Sequence, residues 1–193
     1  MKTFRRITIL SIALSILTVS LCSCRIKENP RTETYTYVLT THQCGALFWV
    51  EPTKYVSDEE ATFPYSEVVS ESLDVNGNLV LVLTSEQVAL WKEHFEKKLE
   101  ESINKINETE EEEVILSDDF TKIVYKTNKE SCMTFVIRYT FIMNYSGILT
   151  LLEKGTVDEW KCETTLQDIS TGKIVWNGFW PEETPEFEQE DFE

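Results

Sequence analysis

From Cys132 to Leu152 the chain runs for 21 residues with a single charge, Arg138. Such a run has to be covered by protein or by lipid, because a helix that is apolar on every side has no face to offer water. Phe135, Ile137, Tyr139, Phe141 and Met143 alternate as they would in a strand, yet the run is long for a strand, which typically has about 3–10 residues. It follows Thr127 and Glu130, spaced as a capping box, and ends in Lys154-Gly155, a helix-stop signal. A membrane span is opposed by Asn144 and by Arg138, whose charge costs about 3 kcal/mol at mid-bilayer. The run is therefore predicted to be a buried helix, around which other elements must assemble.

Those elements can be read off in order. Tyr35 to Thr41 reads as a strand, followed by an apolar patch at Ala46 to Val50 and turns at Pro52 and Pro64. Ser66 to Thr84 reads as a hairpin with a type I′ turn at Asn76-Gly77, and its second strand, Leu79 to Leu83, is apolar on both faces, which marks either a central strand of a sheet covered on both sides or an apolar edge covered by loops. Thr84 and Gln87 form a capping box for a helix ending near Asn107. Its stripe is Val88, Trp91, Phe95, Leu99, Ile103 and Ile106, with Glu93–Lys97 and Glu101–Lys105 spaced as ion pairs on the wet side and His94 off the stripe. Glu108 and Glu110 to Glu113 read as a solvated acidic loop, and Val114 to Leu116 with Phe120 to Thr127 as the third strand. Asp158 to Gln167 and Lys173 to Pro181 form a closing hairpin. Pairing Ile169 with Lys173 sets Leu166 opposite Trp176 and Cys162 opposite Trp180, and puts Trp160, Cys162, Leu166, Ile174, Trp176 and Trp180 on one core face. The expected fold class is α+β, an antiparallel-rich sheet with two main helices, one amphipathic and one largely buried. Residues 35–181 form a single domain, and the acidic stretch 182–193 reads as a disordered tail that can be deleted without loss of fold.

At the other end, Lys2, Arg5 and Arg6 precede an apolar stretch from Ile7 to Leu21 that is too short to span about 30 Å of hydrocarbon. The following Leu21-Cys22-Ser23-Cys24 resembles the ending of bacterial lipoprotein precursors, in which a Leu three residues before the Cys and a small residue just before it mark the cleavage point; Cys22 departs from the usual small residue. The resemblance implies that residues 1–23 are a signal peptide, that Cys24 becomes the lipidated N-terminus, and that the chain sits on the extracytoplasmic face of a cell membrane or outer envelope. Residues 24–34 form a polar tether, of which Arg25 to Thr34 could reach roughly 35 Å at about 3.5 Å per residue. The whole chain has a formal charge of −16, and loss of the three basic signal residues takes it to −19. A body so acidic argues against nucleic acid as a partner, because binding it requires basic residues to replace phosphate counterions.

Chemistry is harder to find. Tyr35, Tyr37, Trp49 and Tyr55 are the candidate binding surface, since flat aromatic faces stack on sugars or peptides. His42 and Cys44 could offer two metal ligands, but no further His or Cys lies at ligand spacing, and no metal or cofactor is assigned. The glycines compose no phosphate loop and no serine sits in a nucleophile elbow. After anchoring, Cys44, Cys132 and Cys162 remain. A continuous helix from Cys132 would hold Cys132 and Cys162 too far apart to bridge, so the candidate disulfide is Cys44 with either Cys132 or Cys162. The order of elements from about Asn78 to Pro181 resembles that of small bacterial surface lipoproteins of unknown function. The expected role is a non-catalytic binding or envelope-interaction module, with an envelope protein or a small ligand as partner besides the membrane reached through the lipid on Cys24. The alternative is a thiol-dependent enzyme or redox protein using Cys132 or Cys44.

Overall fold

The computed structural model describes residues 33–49, 51–57 and 69–192, so the segment from Leu21 to Cys24 lies outside the described residues. The fold is α+β, with one antiparallel and one mixed sheet. Strand β1 (Thr34–Leu39) pairs antiparallel with β3 (Leu79–Thr84), which also pairs antiparallel with β2 (Ser70–Leu73). The strand that is apolar on both faces is thus the central one: Leu79, Leu81 and Leu83 are buried, and Val80 and Val82 are half-covered. The β2–β3 turn is longer than the two-residue form expected. Leu73 and Leu79 are the last pair, and Asp74 Oδ1 accepts from Asn76 N (2.7 Å) and Asn78 N (2.9 Å). Only Gly77 takes a positive φ, whereas a type I′ turn needs two such residues.

Between β1 and β2 lie two helices that the strand-and-patch reading missed, α1 (Thr41–Phe48) and the short α2 (Pro52–Ser57). Thr40 and Gln43 close a capping box at the start of α1, the same arrangement that Thr84 and Gln87 make for α3 (Ser85–Asn107). Helix α3 buries Trp91, Phe95, Leu99 and Ile106, the stripe its periodicity predicts. Its wet-side ion pairs are Lys97–Glu101 (3.9 Å) and Lys98–Glu101 (3.2 Å) instead of those expected.

The later strands build a second sheet rather than extending the first: β4 (Glu112–Leu116), β5 (Lys122–Thr127), β6 (Cys162–Asp168) and β7 (Ile174–Trp180), in that spatial order. β5 and β6 run parallel, a pairing that requires a long crossover, and α4 (Cys132–Lys154) supplies it. The apolar run is therefore one continuous helix, as expected. Its start differs, because Thr127 is buried in β5 and the Thr127–Glu130 box does not form. Asn128 Oδ1 instead accepts from Ser131 N (2.8 Å), and Gly155 ends the helix with φ +80°. The first half of α4 buries only a stripe, Cys132, Phe135, Tyr139 and Ile142. From Ser146 to Leu152 it is buried all round.

At Gly147 a Cβ would lie 2.4 Å from Leu47 Cδ2 and 2.7 Å from the Trp160 ring, which its Nε1–H holds to Phe120 O at 3.0 Å. Alanine should therefore forfeit the ~1 kcal/mol it gains in helix propensity and destabilise the domain by about 1–2 kcal/mol, read by urea unfolding.

In the closing hairpin Cys162 faces Trp180 and Leu166 faces Trp176, as expected. A register shift after Leu166 then pairs Gln167 with Ile174 and turns Ile174 onto the exposed face, not the core face. Asp168, buried, closes the turn: its Oδ1 accepts from Ser170 N and Oγ and from Thr171 N and Oγ1 at 2.6–3.0 Å. Burial pushes its pKa up, but these hydrogen bonds outweigh it and hold the carboxyl at about 2. A carboxyl whose folded pKa is depressed adds stability that is complete above its unfolded value of about 3.9 and is lost as pH falls toward 2. Asp168→Asn should therefore cost about 2 kcal/mol at pH 7 and make the melting temperature less sensitive to pH between 4 and 2.

The acidic tail is not loose. Phe192 is only 2% exposed within the core, Phe187 stacks edge-on against Phe135 and Phe192, and Gln189 Nε2 donates to Lys129 O (3.1 Å). Composition predicted disorder here; two aromatic anchors override it.

Candidate functional site

The C-terminal end of α1 meets the middles of α3 and α4 around an aromatic pocket of about 220 Å³. Trp49 forms its lip. It occupies the C-cap of α1 with φ 58°, a left-handed position that glycine usually takes, and is 53% exposed. Its ring stands edge-on to Phe141 at 4.8 Å, and Tyr145 lies 6.1 Å from Phe141 and 6.0 Å from Phe95. The buried Asn144 amide is oriented so that its oxygen accepts from Trp49 Nε1 (2.8 Å) while its nitrogen donates to Ala46 O (2.7 Å) and Thr140 O (3.1 Å). One side chain on α4 thus fixes both α1 and the indole, offsetting the backbone strain at Trp49.

The rim carries little net charge. Burial, and then the nearby Lys98 charge, lower the pKa of His94, so the imidazole is neutral at pH 7, and Lys98 is paired with Glu101. Burial raises the Tyr145 pKa. An aromatic box with neutral walls suits an apolar group, and its volume suits a ring or a short acyl or branched chain rather than a whole drug-sized molecule, which needs about 300 Å³ or more.

Of the four aromatic residues singled out in the sequence, only Trp49 reaches this pocket. Tyr37 is buried in the core, its pKa raised by that burial, and Tyr35 is exposed elsewhere on β1. The side chain of Tyr55 lies outside the described residues. Phe95, Phe141 and Tyr145 were missed as pocket walls because in sequence a pocket aromatic looks the same as a core aromatic.

The candidate disulfide is not formed. Cys44, Cys132 and Cys162 are all free and buried, and α4 runs unbroken from Cys132 to Lys154. Burial raises the Cys44 pKa to about 11 and the Cys162 pKa to about 12, and raises that of Cys132 as well. A thiol so placed stays protonated and is a poor nucleophile. Among the described residues no three His, Cys, Asp or Glu side chains gather as a metal site.

No family model matches the chain, and no curated protein or solved structure matches it either. The class the structure defines is an α+β domain with two sheets and a buried helix that carries an aromatic pocket at its flank.

Proposed function

We propose that this chain is a lipid-anchored, extracytoplasmic binding module that accepts an apolar group of a small ligand or of an envelope protein in the pocket beside Trp49, without transforming it chemically. The observation that carries the binding role is Trp49 itself, a half-exposed indole held at a left-handed backbone position by a buried amide, over an aromatic box that is otherwise open. The anchor rests on the Leu21-Cys22-Ser23-Cys24 box behind a basic and apolar leader. The rival thiol chemistry is disfavoured by the raised pKa of all three buried cysteines.

Metabolic labelling with a palmitate analogue tests the anchor: Cys24→Ser should abolish labelling and release the chain from membranes, and Cys22→Ser should do neither. For the pocket, saturation-transfer NMR on the full chain in phospholipid nanodiscs, with phenylacetamide and octanoate as probes, should show transfer that Trp49→Ala or Phe141→Ala removes and Tyr35→Ala leaves intact. Transfer that survives Trp49→Ala and Phe141→Ala would reject the pocket.

A further inference from the structure

A second, larger cavity of about 620 Å³ opens at the N-terminal end of α4, between the first turns of that helix and the C-terminal tail. Its apolar wall comes from Met133, Val136 and Phe187. Met133 is 71% exposed, Val136 is exposed, and Ile137 next to it is 64% exposed, so an i, i+3, i+4 stripe of large apolar side chains faces water on a helix whose opposite stripe, Phe135 and Tyr139, is core. Solvent-facing helix positions normally carry charge, and a contiguous apolar patch marks a contact surface.

The other wall is acidic. Glu186, Glu188 and Asp191 line it, and Phe187 between them points inward to Phe135. Asp191 Oδ2 is occupied by Glu188 N (2.8 Å), and Lys173 Nζ donates to the Asp191 carbonyl (3.0 Å). Glu186 and Glu188 form no ion pair among the described residues.

We infer that this groove docks a cationic amphipathic peptide segment, its apolar face against Met133, Val136 and Phe187 and its Lys or Arg residues against Glu186 and Glu188. The charge decides between occupants. A second copy of a chain carrying −16 would set carboxylates against carboxylates, and anionic lipid headgroups would be repelled by the same rim. A helix laid in an apolar groove with basic flanks satisfies both walls at once. This inference is independent of the Trp49 pocket, which lies among other residues of α4.

The probe is a fluorescent Leu/Lys peptide of about 18 residues, five helical turns, with leucines at i, i+3, i+4 and i+7. The target is the full chain in zwitterionic phospholipid nanodiscs, with empty discs as baseline, read by fluorescence anisotropy. The peptide should bind, and a scrambled peptide of the same composition should bind about tenfold or more weakly, since the scramble keeps the charge and destroys the face. Met133→Ser with Val136→Ser should weaken binding to a similar extent. Glu186→Gln with Glu188→Gln should weaken it and flatten its salt dependence. All four positions are exposed, and at Glu188, whose side chain caps the turn at Gln189–Asp191, glutamine keeps an accepting oxygen, so thermal melts should change little. Equal binding of the scrambled peptide, preference for a Leu/Glu peptide, indifference to either double substitution, or self-association of the chain through this face would each overturn the inference.

Discussion

Deleting residues 182–193 should lower the melting temperature of the domain by roughly 10 °C or more. The deleted stretch carries seven acidic residues and no basic one, so electrostatics alone would predict relief of self-repulsion and a small gain in stability. Packing opposes this. Phe192 is buried in the core, and Phe187 fills the space against Phe135. Truncating a buried Phe to Ala costs about 3–5 kcal/mol, and in a domain of this size 1 kcal/mol moves the melting temperature by about 2–4 °C. Phe192→Ala alone should account for most of the loss while leaving every charge in place, and so separates the two effects. Calorimetry of both variants at one ionic strength is the measurement; a deletion that melts with the parent would mean the tail's contacts contribute nothing net.

The tail shows where composition misleads. Its acidic residues describe what faces water, and the two aromatics that dock it were visible but had no repeat to give them weight. Long periodic segments were legible for the opposite reason: the α3 stripe and the 21-residue run of α4 repeat their signal often enough to fix type and extent. The eight-residue α1 carries the same Thr-x-x-Gln start as α3, but it is too short for its periodicity to show. Strand faces in the closing hairpin followed from parity down to Leu166, and the shift at Gln167 that exposes Ile174 depends on turn geometry that no side-chain pattern records. The division into two sheets was illegible because it rests on a parallel β5–β6 pairing between strands far apart in the chain. The pocket was half legible: Trp49 was found as an unattached aromatic, whereas Phe95 was assigned to the apolar stripe it does belong to, and only packing of α1 on α4 brings the two together.

The acidic run that leads into β4 carries a buried ion pair, from which the second large effect is expected. Glu112, read as one of several solvated glutamates, is the first residue of β4 and only 3% exposed, because it shares a strand face with buried Val114. Its Oε2 pairs with Arg138 Nη1, and its Oε1 accepts from Tyr125 Oη at 2.8 Å. The one charge in the apolar run thus serves to neutralise a carboxylate inside the fold. The two partners are not equivalent, since the Arg138 side chain is 39% exposed and that of Glu112 is 2% exposed. Arg138→Met should strand a buried carboxylate with a single hydrogen bond and cost about 3 kcal/mol. Glu112→Gln should cost about 1 kcal/mol, because the amide oxygen still accepts from Tyr125 and the freed guanidinium can turn to water. Glu112→Leu combined with Arg138→Met should recover much of the loss, as a buried pair replaced by apolar groups often does. Urea unfolding of the two single variants and the double variant measures all three values. The ordering is the test: a Glu112→Gln loss larger than that of Arg138→Met would mean that burial of the carboxylate does not govern the pair.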